Sequence, residues 1–539
     1  MPSGPILLAW FYPLSSVAFA MAELLPDPSA SRKSNRRWYA DSCSRAFKNA
    51  DSTTNCHPRR SQGPPAPARS GIPLTAKATA YWQRYRVHAL LFLSVFVLCG
   101  FTRIATSFDS RWSVPAVRRM LLAGDLQLDE FKEQMKESPG YGVVCVTAAG
   151  VDRETNPDAC RGHWYPSYPL GGPILAAPII AVFLGLFHAL GIDWYRYHAH
   201  LELETASILV AATAVAIFAI GRRTLPVKRA VLLALLFAFT TSAFSTASRA
   251  LWQHTPSMLL LTLAIYLLLR ADTQPWLAAW AAIPVALSYT TRPSNALFVL
   301  LFTAYVAVRH RSILWRYLAV AASVGLLFSA LNWQIYHNVL PPYYRAQANM
   351  HAPGYWPAIA TAAAGLLVSP SRGLLVFTPL CLFSFVAMWR GSWRVPLAAW
   401  LGAGTGIYFA LMILFLGPAS YPGNWWGGAS YGPRLLTDLS PILALFWIPF
   451  LEQWDQRKPA ARHAFLVLAI AGGLIHYRAG WSEAVWLWNS FPANVDVRTD
   501  RLWDWRDPQF LRGLGLRLGA ANAAMPNGSS GFYRRPALR

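Results

Sequence analysis

A carboxylate follows directly on the first long apolar run, in Ser107-Phe108-Asp109-Ser110-Arg111-Trp112. So close to a membrane boundary, with Arg103 and Arg111 nearby, Asp109 can stay ionised and act as a general base towards a hydroxyl or amine. A second reading makes Asp109 a cap of the helix patterned by Val114 to Leu122. Arginines then recur at four later segment ends: Arg249-Ala250-Leu251-Trp252-Gln253-His254, Thr291-Arg292-Pro293, Ser369-Pro370-Ser371-Arg372-Gly373, and Trp425-Trp426-Gly427-Gly428 to Tyr431-Gly432-Pro433-Arg434. Guanidinium forks take phosphate oxygens in pairs, so a ring of Arg249, Arg292, Arg372 and Arg434 suits a phosphorylated lipid headgroup, and Arg345 could add to it. Taken singly, each arginine also fits interfacial snorkelling, and the aromatic residues fit an interfacial belt.

The elements that must position these side chains are apolar spans. Hydrophobic residues make up 54% of the 539-residue chain and charged residues only 14%, below the roughly 25% of soluble proteins. The expected class is an all-α polytopic membrane protein. A hydrocarbon core of about 30 Å takes roughly 20 apolar residues, which gives spans at 88–106, 202–221, 229–246, 256–271, 276–290, 294–308, 313–333, 372–389, 396–417, 436–452 and 462–476. Short basic connections at Arg222-Arg223, Arg309-His310-Arg311, Arg390 to Arg394 and Arg457-Lys458 orient these spans with the amino terminus inside. The alternation holds if the Gly/Pro-broken stretch 169–191 dips into the membrane and returns, giving about eleven spans in all. The carboxyl terminus then lies outside.

Residues 1–87 read as a disordered basic extension, the first outer loop as 107–168, and 481–539 as an outward Trp-rich tail that either covers the site or skirts the interface. Cys145 and Cys160 share the outer loop and can form a disulfide in an oxidising compartment. The net charge of +23 would raise nucleic acid as a partner of a soluble protein, but here it divides between the extension, the orienting loops and the arginines on the opposite face. No nucleic-acid partner is expected; the lipid bilayer is. No HExxH, P-loop or GxSxG occurs, which removes support for a metalloprotease, a nucleotide-driven pump or a serine hydrolase.

Phe108-Asp109-Ser110 after the first span, Pro169-Leu170-Gly171-Gly172-Pro173, Arg292-Pro293, and an arginine after Gly-rich aromatics together resemble the GT-C superfamily of integral-membrane glycosyltransferases. The chain is most similar to the branch of protein mannosyltransferases and aminoarabinose transferases. The resemblance covers about 88–480 as a transmembrane catalytic domain. It implies inverting transfer from a polyprenyl-phosphate-sugar donor to an acceptor that is a lipid, a glycan or a protein, at the outer face of a bacterial inner membrane. It makes Asp109 the general base and Arg292, Arg372 and Arg434 the best phosphate ligands, with His254 a weaker member of that pocket. Trp425, Trp426 and Tyr431 become a sugar platform. The family often has two adjacent acids where this chain has Asp109-Ser110, so no metal site is assigned and a divalent metal lacks the support of an acidic pair. The competing expectation is a polyprenyl-linked glycan flippase, which would call for polar groups through mid-span and internal repeats.

Overall fold

In a computed structural model, which describes residues 74–106, 109–345, 355–416, 424–514 and 532–534, the chain is mostly helical. The expected extension lies, as far as residue 73, outside the described residues. The first helix, α1, begins earlier than expected, at Leu74, and runs to Gly100. A short strand β1 (Ile104–Thr106) follows it. Among the described residues, seven helices are long and apolar enough to cross a membrane, and four shorter apolar helices accompany them. This accords with an all-α membrane body.

Helix α1 packs against α4 (His198–Gly221) in opposite directions, because His88 meets Phe218 at 4.9 Å between rings while Gly100 lies against Glu204. The next helix, α5 (Val227–Thr240), ends in a π-helical turn, Ala243–Ala247. After it come α6 (His254–Ala271), α7 (Leu277–Thr291), α8 (Ala296–Arg309) and α9 (Leu314–Tyr336). Helix α6 is buried on nearly all sides, whereas α9 is mostly exposed and apolar, as expected of a helix facing lipid. Later helices include α10 (Tyr355–Val368), α11 (Cys381–Trp389), α12 (Pro396–Leu416), α13 (Ser440–Leu445) and α14 (Pro459–Trp481).

Two segments differ from expectation. The stretch 169–191 contains no reversal: Gly171–Ala189 is one continuous helix, α3. Pro173 sits in its first turn, where an N–H is not needed, whereas Pro178 lies inside the helix and removes one backbone hydrogen bond. Gly171 serves close packing, because a Cβ there would stand 2.2 Å from Thr290 Oγ1. Five residues beyond α3, Trp194 and Tyr195 pack on Phe131 of the 109–168 loop, with Tyr195 at 5.6 Å. Both flanks of α3 therefore meet the same rim of the molecule.

The 109–168 loop is itself a small folded unit. It holds α2 (Ser113–Ala123) and an antiparallel sheet of order β3-β2-β4, from β2 (Val143–Thr147), β3 (Gly150–Asp152) and β4 (His163–Pro166). Register pairs Cys145 with Trp164 and Asp152. Cys145 is bonded to Cys160. Cross-linking a loop of that length stabilises by about 3 kcal/mol. Cys145→Ser is expected to lower the thermal midpoint by a corresponding amount and to open the unit to protease near Tyr141; an unchanged midpoint would show that the sheet holds without the bond.

Candidate active site

Asp109 lies at the rim, between the loop unit and the helical body. Helix α2 begins with Trp112 at its cap position and no side-chain cap bond, so Asp109 does not cap it. Its carboxylate is surrounded by donors instead. Tyr141 Oη donates to Oδ1 at 2.6 Å and Tyr168 Oη to the same oxygen at 3.2 Å. Arg434 Nη2 donates to Oδ2, forming an ion pair whose side chains are only 18% and 14% exposed. At that exposure the attraction is far less screened than between groups in bulk water. The Arg434 guanidinium lies over the Trp252 ring, 3.9 Å from its centre, and Nη1 reaches Gly427 O at 3.3 Å. Behind Asp109, Ser110 Oγ donates to the fully buried Glu202 at 2.5 Å. A second carboxylate is thus linked to the neighbouring residue from another helix rather than standing next in sequence.

The other arginines do not complete a ring around Asp109. Arg372 is fully buried and uses its five N–H groups on five acceptors: Trp426 O, Ser371 O, Gly428 O, Gln509 Oε1 and Asn489 Oδ1, at 2.6–3.1 Å. A buried cation without a carboxylate is tolerable only with such full satisfaction. Arg249, also fully buried, bonds Phe244 O, Cys99 O, Ser248 Oγ and Thr102 Oγ1. Arg292 pairs with Asp438 at 2.5 Å, where His254 (3.0 Å) and Tyr408 (3.1 Å) also converge. His254 is therefore bound to an acid inside the protein. The side chain of Arg345 lies outside the described residues.

These three arginines act on the pair instead. Arg372 grips the carbonyls of 426 and 428, just upstream of Arg434, while Arg292 fixes Asp438, four residues downstream. Gly427, Gly428 and Gly432 sit at positive φ (73°, 68° and 63°), which lets the chain turn between those anchors. Arg249 ties the end of α1 to the π turn, and Thr106 N bonds Arg249 O at 3.0 Å. Trp252 Nε1 reaches Thr106 Oγ1 at 3.3 Å, so the ring beneath Arg434 is tied to the strand preceding Asp109.

Trp425, Trp426 and Tyr431 present no open ring face. Trp425 fills the space beside Gly365, Trp426 Nε1 donates to Asp496 at 2.6 Å, and Tyr431 Oη donates to Ile475 O at 2.7 Å. The aromatic groups beside Asp109 are Tyr141, Tyr168 and Trp252, of which Tyr141 and Trp252 stand outside the expected site residues. The tail packs on the glycine loop: Gln509 bonds Arg372, the Ser430 carbonyl and Gly432 N. Among the described residues, no group of three or more His, Cys, Asp or Glu side chains is placed to hold a metal ion.

Burial raises both the Tyr141 and Tyr168 phenols above the ordinary value of 10.0, and Tyr141 beside Tyr168 adds to the latter's rise. Both therefore remain donors to Asp109 at neutral pH. A raised folded pKa contributes stability below the unfolded value, near pH 10, and loses it as pH climbs. In an alkaline titration read by phenolate absorbance, these two are expected to ionise after tyrosines of ordinary pKa, so Tyr141→Phe/Tyr168→Phe leaves the early amplitude unchanged. A lower early amplitude would mean that the phenols ionise freely. The chain matches no family model, no curated protein and no solved structure, so the case for its function rests on the chemistry of its own side chains.

Proposed function

We propose that the protein is a GT-C-like membrane glycosyltransferase that moves a sugar from a polyprenyl-phosphate donor to an acceptor hydroxyl or amine, with inversion. One observation carries the reading: Asp109 and Arg434, 325 residues apart, meet as a partly desolvated pair at the rim between the loop unit and the helical body. The two charges match the two demands of the reaction. Asp109 removes the acceptor proton while the acceptor's oxygen or nitrogen attacks the anomeric carbon. The bond from that carbon to the phosphate breaks, and Arg434 stabilises the charge left on the phosphate. In the free protein each neutralises the other, so donor phosphate exchanges Arg434 away from Asp109 and leaves the base available. A donor already attached to lipid needs no nucleotide fold. The same reading has eleven crossings, with the Asp109 rim facing outward from a bacterial plasma membrane.

Purified protein given labelled polyprenyl-phosphate sugars and a membrane extract is expected to release polyprenyl phosphate in step with transfer. Translocation of the same lipids across a vesicle bilayer without release would replace this reading with a flippase. A mass spectrum of co-purified lipid names the donor.

A further inference from the structure

A cleft opens beside Asp109, on the boundary between the loop unit and the helical body. Trp112, Tyr168 and Trp252 line it, together with Ser113 and Gln253. Among the described residues, its only charged lining residue is Asp109, and no Lys or Arg lines it. The nearest basic neighbour in sequence, Arg111, lies over the outer part of the Trp112 ring at 4.9 Å and pairs with Glu137 at 3.6 Å. Gly142, at φ +75°, keeps the walls close, since a Cβ there would stand 2.9 Å from Trp112 and 3.5 Å from Tyr168.

One buried donor in the cleft is unanswered: Gln253 Nε2 has no hydrogen-bond partner among the described residues. Buried amide N–H groups are nearly always satisfied, and leaving one unpaired costs about 1–3 kcal/mol. An acceptor atom brought by a ligand removes that cost. Aromatic walls, hydroxyl and amide groups, a carboxylate and no cation describe a site for a neutral ring carrying hydroxyls. An anion would meet the Asp109 carboxylate, and the cation bonded to it, Arg434, is already paired with that carboxylate. Arg434 lies over the Trp252 ring and is not among the lining residues, so a phosphate held by it sits beside the neutral ring rather than within the cleft.

We infer that this cleft binds the acceptor, and that the acceptor presents an uncharged sugar ring there. The assignment rests on the transferase reading for the role of that ring, though not for its binding. One ring hydroxyl points at Asp109 and loses its proton to it. The oxygen forms the new bond to the donor's anomeric carbon, and the electrons of the broken bond leave on the donor phosphate.

The test uses the full-length protein in nanodiscs, titrated with methyl glycosides of common hexoses and pentoses and with the corresponding hexose phosphates, read by saturation-transfer NMR. At least one neutral glycoside is expected to bind, and the phosphate of the same sugar at least tenfold more weakly. Gln253→Ala should weaken glycoside binding about tenfold without shifting the thermal midpoint, and Trp112→Phe should weaken it about tenfold at a lower midpoint, since it also loses the Nε1 bond to Tyr141 O. No bound glycoside in folded wild type, equal binding of the phosphates, a hydroxyl-bearing peptide bound in place of every glycoside, or full binding in both variants would overturn the inference. Glycoside binding without any sugar transfer would remove the transferase and leave the cleft. Transfer at the wild-type rate in both variants would do the reverse.

Discussion

Asp109→Asn is expected to slow sugar transfer by about 10²–10⁴-fold, the usual contribution of a positioned general base. The change is nearly isosteric. Its amide oxygen can still accept from Tyr141 and Tyr168, which now converge on Oδ1 at 2.6 and 3.2 Å. What disappears is the ability to take a proton and the anionic partner of Arg434. That guanidinium keeps the Trp252 ring and the Gly427 carbonyl, so it should remain in place. Donor affinity is therefore expected to hold or rise, because phosphate no longer competes with a carboxylate for Arg434. Single-turnover transfer with labelled donor, alongside equilibrium donor binding, separates the two effects. A variant that transfers as fast as wild type would remove Asp109 from the chemistry.

The contrast between what the chain revealed and what it hid follows from the range of each interaction. Apolar runs at 202–221 or 256–271 are local signals, and helices stand there because a span must satisfy its backbone within itself. Asp109 was legible from its place after the first span, and Cys145 and Cys160 from sharing one loop. The β-branched run Val143-Val144-Cys145-Val146-Thr147 also signalled a strand, though the loop was read without it. The roles of the arginines were not legible, because an arginine's partner is set by contacts across the fold. Asp438 lies inside an apolar segment, 146 residues from Arg292, and Gln509 reaches Arg372 from a tail that read equally well as an interfacial skirt. The glycines and prolines at 169–173 signalled a broken helix, but tight packing of Gly171 on Thr290 uses the same residues. Four similar residues at similar positions thus divide into one that meets the candidate base and three that hold its surroundings.

Arg434→Ala should cost about 10²–10³-fold in turnover, as expected when a preorganised donor to developing charge is removed. Arg434→Lys should recover part of this: it restores the charge but not the planar fork that lies on Trp252 and reaches both Asp109 and Gly427. The loss should appear mainly in the chemical step, since the charge on the departing phosphate is greatest there. The decisive measurement is the double variant. If Asp109 and Arg434 serve one transition state, Asp109→Asn/Arg434→Ala should be little worse than the weaker single variant, because groups acting as a unit lose their effects together. Additive losses would mean that they act independently and that their pairing only stabilises the rim. The outcome also bears on the three buried arginines: if Arg434 carries the phosphate charge, Arg372→Lys should slow transfer by loosening the 426–428 loop while leaving the Asp109 proton transfer intact. A rescue of that variant by tighter packing of the tail on the loop would locate its effect in position rather than in charge.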